Sequence, residues 1–509
     1  MKEIPVKLWL FTMVMTVIKV IIASTIALGN DEVYYWTYAL NLEWSYFDHP
    51  PFVAWLIRTT TANLYIHNEL AVRLGAIISS TIGTIIVYKI GKLLLNNRVG
   101  WLAVLLYSSS FYCSIIAGTF ILPDSPQMVF WLWSIFLLLK ITKSVHQGLP
   151  TLSLWCWFGV ATGLCMMCKI HGVYLWVAVV LFALFSNRKL MAQKGMYFSA
   201  LISLIMVSPF IIWNIQHHFI TYTYHSNRVS LFHAGINPLA FAREISGQIF
   251  YNNPIVFFLA WIAVFSFTKT KHHLKSEIQL LLYCALPLIA TLVFLSIFRD
   301  TLPHWSGPAY SCLIFLSALK LESFTLSKVK AIIAASMLFF LFVVSAGLIA
   351  INFYKGTLSP QKDPMHVGTG DPTLDLYGWK ETGRIVDSVY HADNKLSERN
   401  KTVRTIVITK WFPAAHLDFY VCIRTGLQTY GLGEIFDLHQ YYWSNQNKQK
   451  LSVGDNAYYI VPSNLYDENS INFIKSQFKN CKPPIIAPIF RNGVICKNIL
   501  LFRLNGYKR

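Results

Sequence analysis

The stretch Gly29–Pro51, GNDEVYYWTYALNLEWSYFDHPP, follows directly on an apolar run and carries four carboxylates, Asp31, Glu32, Glu43 and Asp48. The whole chain of 509 residues holds only 24 acidic residues against 43 basic ones, so scarce negative charge is concentrated at this point. The run before it, near residues 7–28, is long enough to cross a bilayer, which takes about 20 residues at 1.5 Å each. Lys19 inside that run, together with its length, favours a retained helix over a cleaved signal peptide, for which Ala23-Ser-Thr would be an acceptable cleavage context. Comparable runs continue to about residue 353, near 70–95, 100–121, 125–141, 151–168, 171–186, 196–213, 249–267, 277–298, 306–319 and 329–353, about eleven in all. With 55% hydrophobic and 13% charged residues, the composition is that of an integral membrane protein.

The net charge of +19 could suggest nucleic acid, but Lys and Arg stand in short clusters between the apolar runs, as a positive-inside bias produces. Nucleic acid is therefore excluded as a partner, and membrane lipids are expected. Alternate loops carry Lys89, Lys92 and Arg98; Lys140 and Lys143; Arg188, Lys189 and Lys194; Lys269, Lys271 and Lys275; and Lys320, Lys328 and Lys330, which marks them as cytoplasmic. The opposite set contains Gly29–Pro51, Leu122-Pro-Asp-Ser-Pro126, Lys169-Ile-His171, residues 214–248 and Arg299–Trp305, so every polar cluster with chemical character is expected on the outer face. Beyond Tyr354 the composition changes to short β-like runs such as 402–409 and 456–462 separated by turn signals. The expected organisation is a polytopic α-helical membrane domain, residues 1–353, whose outer loop 29–69 carries interfacial helices. A soluble α/β or α+β domain, residues 354–509, follows on the outer side. Six of the nine cysteines lie in apolar runs as small hydrophobes, while Cys481 and Cys496 could pair if their domain faces an oxidising compartment.

Each polar cluster has a chemical and a structural reading. Asp31-Glu32, just past a membrane helix, suits a general base or a metal ligand, and equally an acidic first turn capped at Asn30. Asp48-His49-Pro50-Pro51 suits metal or phosphate, or the capped start of a helix over 52–64. Asp124 is a carboxylate between two apolar runs or an N-cap. Lys169 and His171 interrupt an apolar stretch, where a cation must be paired or must snorkel to headgroups. Asn214, His217, His218, Tyr222, Tyr224, His225 and Arg228 could hold a sugar and an anion together, and the tyrosines also fit an interfacial aromatic belt. Arg299 and His304-Trp305 repeat that pattern. Carboxylates at 31, 32, 48 and 124, cations at 169, 228 and 299, and imidazoles at 49, 217 and 304 together suit transfer from a lipid-linked phosphate donor, in which a carboxylate activates the acceptor and cations stabilise the departing phosphate. A transporter or flippase for lipid-linked sugars is the main alternative; it would show ionisable groups near the midplane and paired halves.

The motifs DEVYYW, SYFDHPPFVAWLIR, VRLGA, LPDSPQMVFW, GLCMMCKIHGVYL, SPFIIWNIQHHF, HWSGPAY and YGWKE, in that order, resemble those of bacterial family-39-type glycosyltransferases of the GT-C fold. These are relatives of the protein O-mannosyltransferases and of the lipid A aminoarabinose transferases. The resemblance covers roughly residues 5–320 and, more weakly, Asp418-Phe-Tyr and Gln440-Tyr-Tyr-Trp443. It implies 11–13 transmembrane helices in a bacterial inner membrane with the active site and C-terminal domain periplasmic, and an inverting transfer from an undecaprenyl-phosphate sugar to lipid A, lipopolysaccharide core, another glycan or a protein. Asp31 and Glu32 match the acidic pair of the first outer loop, and Asp124 the acidic residue after the third span; these three are the expected catalytic residues. His49, Lys169, Asn214, His217, Arg228, Arg299 and His304 are the expected donor-phosphate residues, and Asp48 the candidate ligand of a divalent cation. His49 stands where the aminoarabinose transferases carry Lys, so a permanent positive charge is missing there.

Overall fold

A computed structural model describes residues 5–229, 235–269, 274–396 and 403–508. The chain forms two compact units, Met1–Ala23 with Leu42–Val344, and Ser24–Asn41 with Ser345–Arg509. The expected boundary lay at 353/354, and residues 24–41, expected in the membrane domain, belong to the second unit.

The first unit is helical. Among the described residues six helices are long and apolar enough to span a bilayer: Val6–Thr25, Glu69–Leu94, Asp124–His146, Lys194–Gln216, Lys275–Ser296 and Leu326–Phe353. The other apolar runs are shorter or broken helices: Asn97–Ser109, Leu152–Cys168, Tyr174–Phe185, Gly307–Glu322, and the pair Pro238–Tyr251 and Pro254–Lys269, which is bent by 99°. The breaks fall at polar residues whose backbones leave the helix. Ser110 and Lys169 are extended, and Asn253 has φ +63° while its side-chain amide donates to Ser109 O (3.0 Å) and Ser336 O (2.9 Å). These interruptions carry much of the site described below.

Close helix packing rests on small residues, as expected where lipid offers no hydrophobic drive between helices. A Cβ at Gly91 would stand 2.7 Å from Gly100 Cα, so Glu69–Leu94 and Asn97–Ser109 touch backbone to backbone. At Gly159 it would stand 2.6 Å from Ser199 O, and beside it Ser203 Oγ bonds Gly159 O and Thr162 Oγ1, both at 2.8 Å. Buried cations are matched to acceptors, because an unpaired one is expensive in hydrocarbon. Lys19 reaches Ser80 Oγ, and Arg73 donates to Ala23 O at 2.9 Å.

The second unit holds a six-stranded mixed sheet: β1 Thr405–Ile408, β2 Gln428–Gly431, β3 Ala457–Pro462, β4 Phe478–Cys481, β5 Ile485–Arg491 and β6 Val494–Tyr507. β1 lies parallel to β2 and β3, while the long β6 pairs antiparallel with β3, β4 and β5. Helix Asn30–Leu40 packs here because its apolar side is aromatic: Tyr34 meets Trp411 (4.7 Å between centroids) and Trp36 meets Phe419 (5.0 Å). All nine cysteines are free thiols, and Cys481 and Cys496, which could have paired, are far apart. Cys481 stands opposite Leu504 on β6, eight residues along the strand from Cys496, about 26 Å at the rise of an extended chain.

Candidate active site

The centre of the first unit's polar chemistry is a buried ion pair. Asp124 opens the helix Asp124–His146 behind Pro123, and Lys169 stands at the extended break that ends Leu152–Cys168. Lys169 Nζ lies 3.0 and 2.8 Å from the two carboxylate oxygens of Asp124, and the residues are 3% and 1% exposed. Tyr112 donates its hydroxyl to Asp124 Oδ1 at 2.9 Å. Tyr112 reaches this position because the helix stops at Ser110 and resumes as the π-helical turn Tyr112–Ile116. Its ring lies against the Cα of Gly307, where a Cβ would come within 2.3 Å of the ring carbons. On the other side Lys169 lies 5.9 Å from the centre of the Trp305 ring, which also meets His171 at 5.5 Å.

Lys169 also lines a cavity of about 520 Å³, walled by Asp48, His49, His171, Asn214, Tyr222, His225 and Trp305 together with apolar residues such as Phe210, Leu288 and Leu295. The lining comes from the ends of several helices and the loop before Phe52–Thr60. His225 Nε2 bonds Asp48 O at 2.7 Å, Thr221 donates to Tyr46 O at 3.0 Å, and Trp213 Nε1 donates to Glu43 Oε2 at 2.9 Å, so three bonds tie that loop to the helices after residue 194. Among the described lining residues Lys169 carries the one full positive charge. Burial, then His225 and Lys169, holds the His49 imidazole well below its ordinary range, and burial with Lys169 brings His304 down to about 4. Both are neutral at pH 7. These rings offer neutral hydrogen bonds, and Lys169 supplies the charge.

The other expected residues fall in different places. Asn214 lines the cavity; its amide donates to Phe210 O at 3.1 Å and its buried Oδ1 has no protein partner. His217 is outside the lining, stacked on Trp213 at 3.8 Å. Arg299 is half-buried beyond the end of Lys275–Ser296 and does not line the cavity, while His304 lies near the ion pair with its ring 6.0 Å from Tyr251. The Arg228 side chain lies outside the described residues. Asp31 and Glu32 belong to the second unit, in a helix that starts at Asn30 with Gly29 as its cap. Glu32 is 2% exposed and accepts from Gly29 N at 2.8 Å, the capping role, whereas Asp31 is exposed. Two supports escaped the sequence reading. Tyr112 had no signal beyond the serine run before it. The buried set Glu244, Gln248, Thr301 and Tyr310, linked at 2.7, 2.7 and 2.8 Å, anchors the segment that leads to His304 and Trp305; only a carboxylate in an apolar helix could have hinted at it. Among the described residues no group of three or more His, Cys, Asp or Glu side chains is placed to hold a metal ion, Asp48 included.

With this geometry established, the chain compares with known proteins as follows. The dolichyl-phosphate-mannose-protein mannosyltransferase family matches residues 48–213, a span that contains Asp48, His49, Asp124 and Lys169. ArnT from Cupriavidus metallidurans, solved bound to undecaprenyl phosphate, superimposes over 97% of both chains with a TM-score of 0.64 at 12% identity. The chain has the ArnT-like GT-C fold. The motif resemblance to the PMT-like group therefore stands, and this GT-C chain is a multi-pass membrane protein with a C-terminal sheet unit. An oligosaccharyltransferase from Archaeoglobus fulgidus shares the fold more distantly, with a TM-score of 0.50 at 12% identity over 96% of this chain and 73% of that one. The lipid A galacturonosyltransferase RgtD of Rhizobium johnstonii is 19% identical over 285 residues, which is 55% of this chain and 58% of that protein.

Proposed function

We propose that this GT-C chain is an inverting glycosyltransferase that moves one sugar from an undecaprenyl-phosphate carrier to lipid A, lipopolysaccharide core or another envelope acceptor at the periplasmic face of the inner membrane. The observation that carries the reading is Lys169, a buried ammonium that lines an apolar cavity while paired with Asp124. A largely apolar cavity with a single full positive charge among its described lining residues suits a lipid whose charged group is a phosphate. In the transfer, the bond between the anomeric carbon and the phosphate oxygen breaks, and the electron pair leaves with the polyprenyl phosphate. Lys169 stabilises that developing charge from a buried position in a largely apolar wall, where a charge interaction is stronger than in bulk water. The acceptor oxygen bonds the anomeric carbon from the opposite face. If the acceptor is a hydroxyl, a base must take its proton, the role we assign to the Asp31 carboxylate; if it is a phosphate, no base is required.

The fold shared with ArnT and the similarity to a lipid A galacturonosyltransferase support a lipid A-type acceptor. A protein acceptor is the second reading, favoured by the family match over residues 48–213. Purified protein given an undecaprenyl-phosphate sugar and lipid A tests the proposal. Transfer is expected for the native chain and lost in Asp31→Asn with the fold intact; undiminished transfer by Asp31→Asn removes Asp31 from the mechanism.

A further inference from the structure

The helix Leu326–Phe353 is apolar, and only 11% of its apolar window is buried by protein. Lys328 and Lys330 stand at one end and Tyr354-Lys355 at the other, the anchors that mark membrane interfaces. Between them lie about 35 Å of helix at 1.5 Å per residue, close to the roughly 30 Å of a hydrocarbon core. Phe353 and Tyr354 therefore mark the level at which this helix leaves the membrane. The last turn of any helix has carbonyls with no partner inside it. Here the β5–β6 hairpin supplies the donors.

Arg491, fully buried at the end of β5, bonds Ala350 O (3.3 Å), Ile351 O (3.2 Å), Gly356 O (2.8 Å) and Thr373 Oγ1 (2.7 Å), and it pairs with Asp371 Oδ2 at 3.1 Å. Asn492 donates to Phe353 O at 3.2 Å. The connection Asn492-Gly493 has φ of +48° and +76°, a tight two-residue turn that favours Asn-Gly. The tip of the hairpin is thus fixed at the level of the membrane exit.

What this tip exposes is apolar. Phe490 is 53% exposed and stands directly opposite Ile495 (41%), with Ile486 (44%) further along the same strand and Val494 (40%) at the turn. Phe353 and Tyr354 beside them are 68% and 42% exposed. A contiguous apolar patch on an otherwise soluble unit marks an interaction surface. Its attachment to the end of a membrane helix identifies the partner. We infer that the hairpin tip Phe490–Ile495 is a lipid-binding wedge, seated at the headgroup and acyl boundary beside the last membrane helix.

The test uses the full-length protein in nanodiscs of phosphatidylcholine and phosphatidylglycerol, with the photo-crosslinker p-benzoylphenylalanine at position 490, and in a second variant at 495. The control places it at Val453, which is 70% exposed and lies next to the residue bonded to Tyr507, at the opposite end of β6 and about 40 Å along that strand. Mass spectrometry after irradiation should find lipid adducts at 490 and 495 at least ten-fold above those at 453. Equal yields at the three positions overturn the inference, as do adducts at 490 and 495 that join two protein chains and carry no lipid.

Discussion

Replacing Lys169 by Met would remove the positive half of a pair whose members are 3% and 1% exposed, leaving the Asp124 carboxylate with the Tyr112 hydroxyl as its remaining side-chain hydrogen bond among the described residues. Breaking a buried pair on one side costs about 3–5 kcal/mol, because a charge stays behind without compensation. Uptake of a proton limits that cost, since neutralising an ordinary carboxylic acid at pH 7 takes about 4 kcal/mol at 1.36 kcal/mol per pH unit. Lys169→Met should therefore lose about 3–4 kcal/mol at pH 7, and less at pH 5, where the proton is easier to obtain. Asp124→Asn alone should also destabilise, since it strands the ammonium. The double variant removes both charges and keeps an amide oxygen for Tyr112, so it should regain about 2 kcal/mol or more over Lys169→Met. Denaturant unfolding in mixed micelles reads all four proteins. None of the three variants should transfer sugar, because the departing phosphate has lost Lys169 or the partner that positions it. A Lys169→Met protein within about 1 kcal/mol of the native one, or a double variant no more stable than the single, would refute the reasoning.

Two further expectations follow. Gly307→Ala should push the Tyr112 ring off Asp124, since its Cβ would lie 2.3 Å from that ring, and should cost about 1–3 kcal/mol by overpacking; Tyr112→Phe, which keeps the ring and loses the bond, should cost less, and unfolding midpoints compare them. In the second unit, burial brings Lys497, which donates to Leu374 O at 3.0 Å and lies 4.4 Å from the Trp379 ring, down to about 8. The unfolded chain then binds the extra proton between about pH 8 and 10.5, so the stability of the native protein relative to Lys497→Met should rise across that window and stay constant below it, as unfolding measured at several pH values will show.

The membrane class, the sheet unit and the GT-C resemblance were all legible because each rests on a local signal: long apolar runs, alternating β-like segments, ordered short motifs. Asp124 and Lys169 could also be picked out singly, since a carboxylate and a cation in apolar surroundings announce themselves. Their partnership could not. It joins residues from two different helix ends, and it depends on Tyr112, whose position follows from a helix break at Ser110 and the missing side chain of Gly307. The unit to which Asp31 and Glu32 belong could not be read from the sequence either. They follow the first membrane helix directly, yet the tyrosines and tryptophan of their helix find matching aromatic rings near Trp411 and Phe419, and the segment joins the second unit. That His49 and His304 are neutral is something no sequence displays, since it follows from their burial close to Lys169.

The central claim is sugar transfer from a polyprenyl-phosphate donor that depends on Lys169. Mass spectrometry of lipid A, core oligosaccharide and envelope glycans from a strain lacking this gene, complemented with the native chain or with Lys169→Met, tests it most directly. The account predicts the loss of one glycosyl mass increment, restored by the native chain and not by Lys169→Met. Envelope glycans of unchanged mass, or full restoration by Lys169→Met, would contradict it.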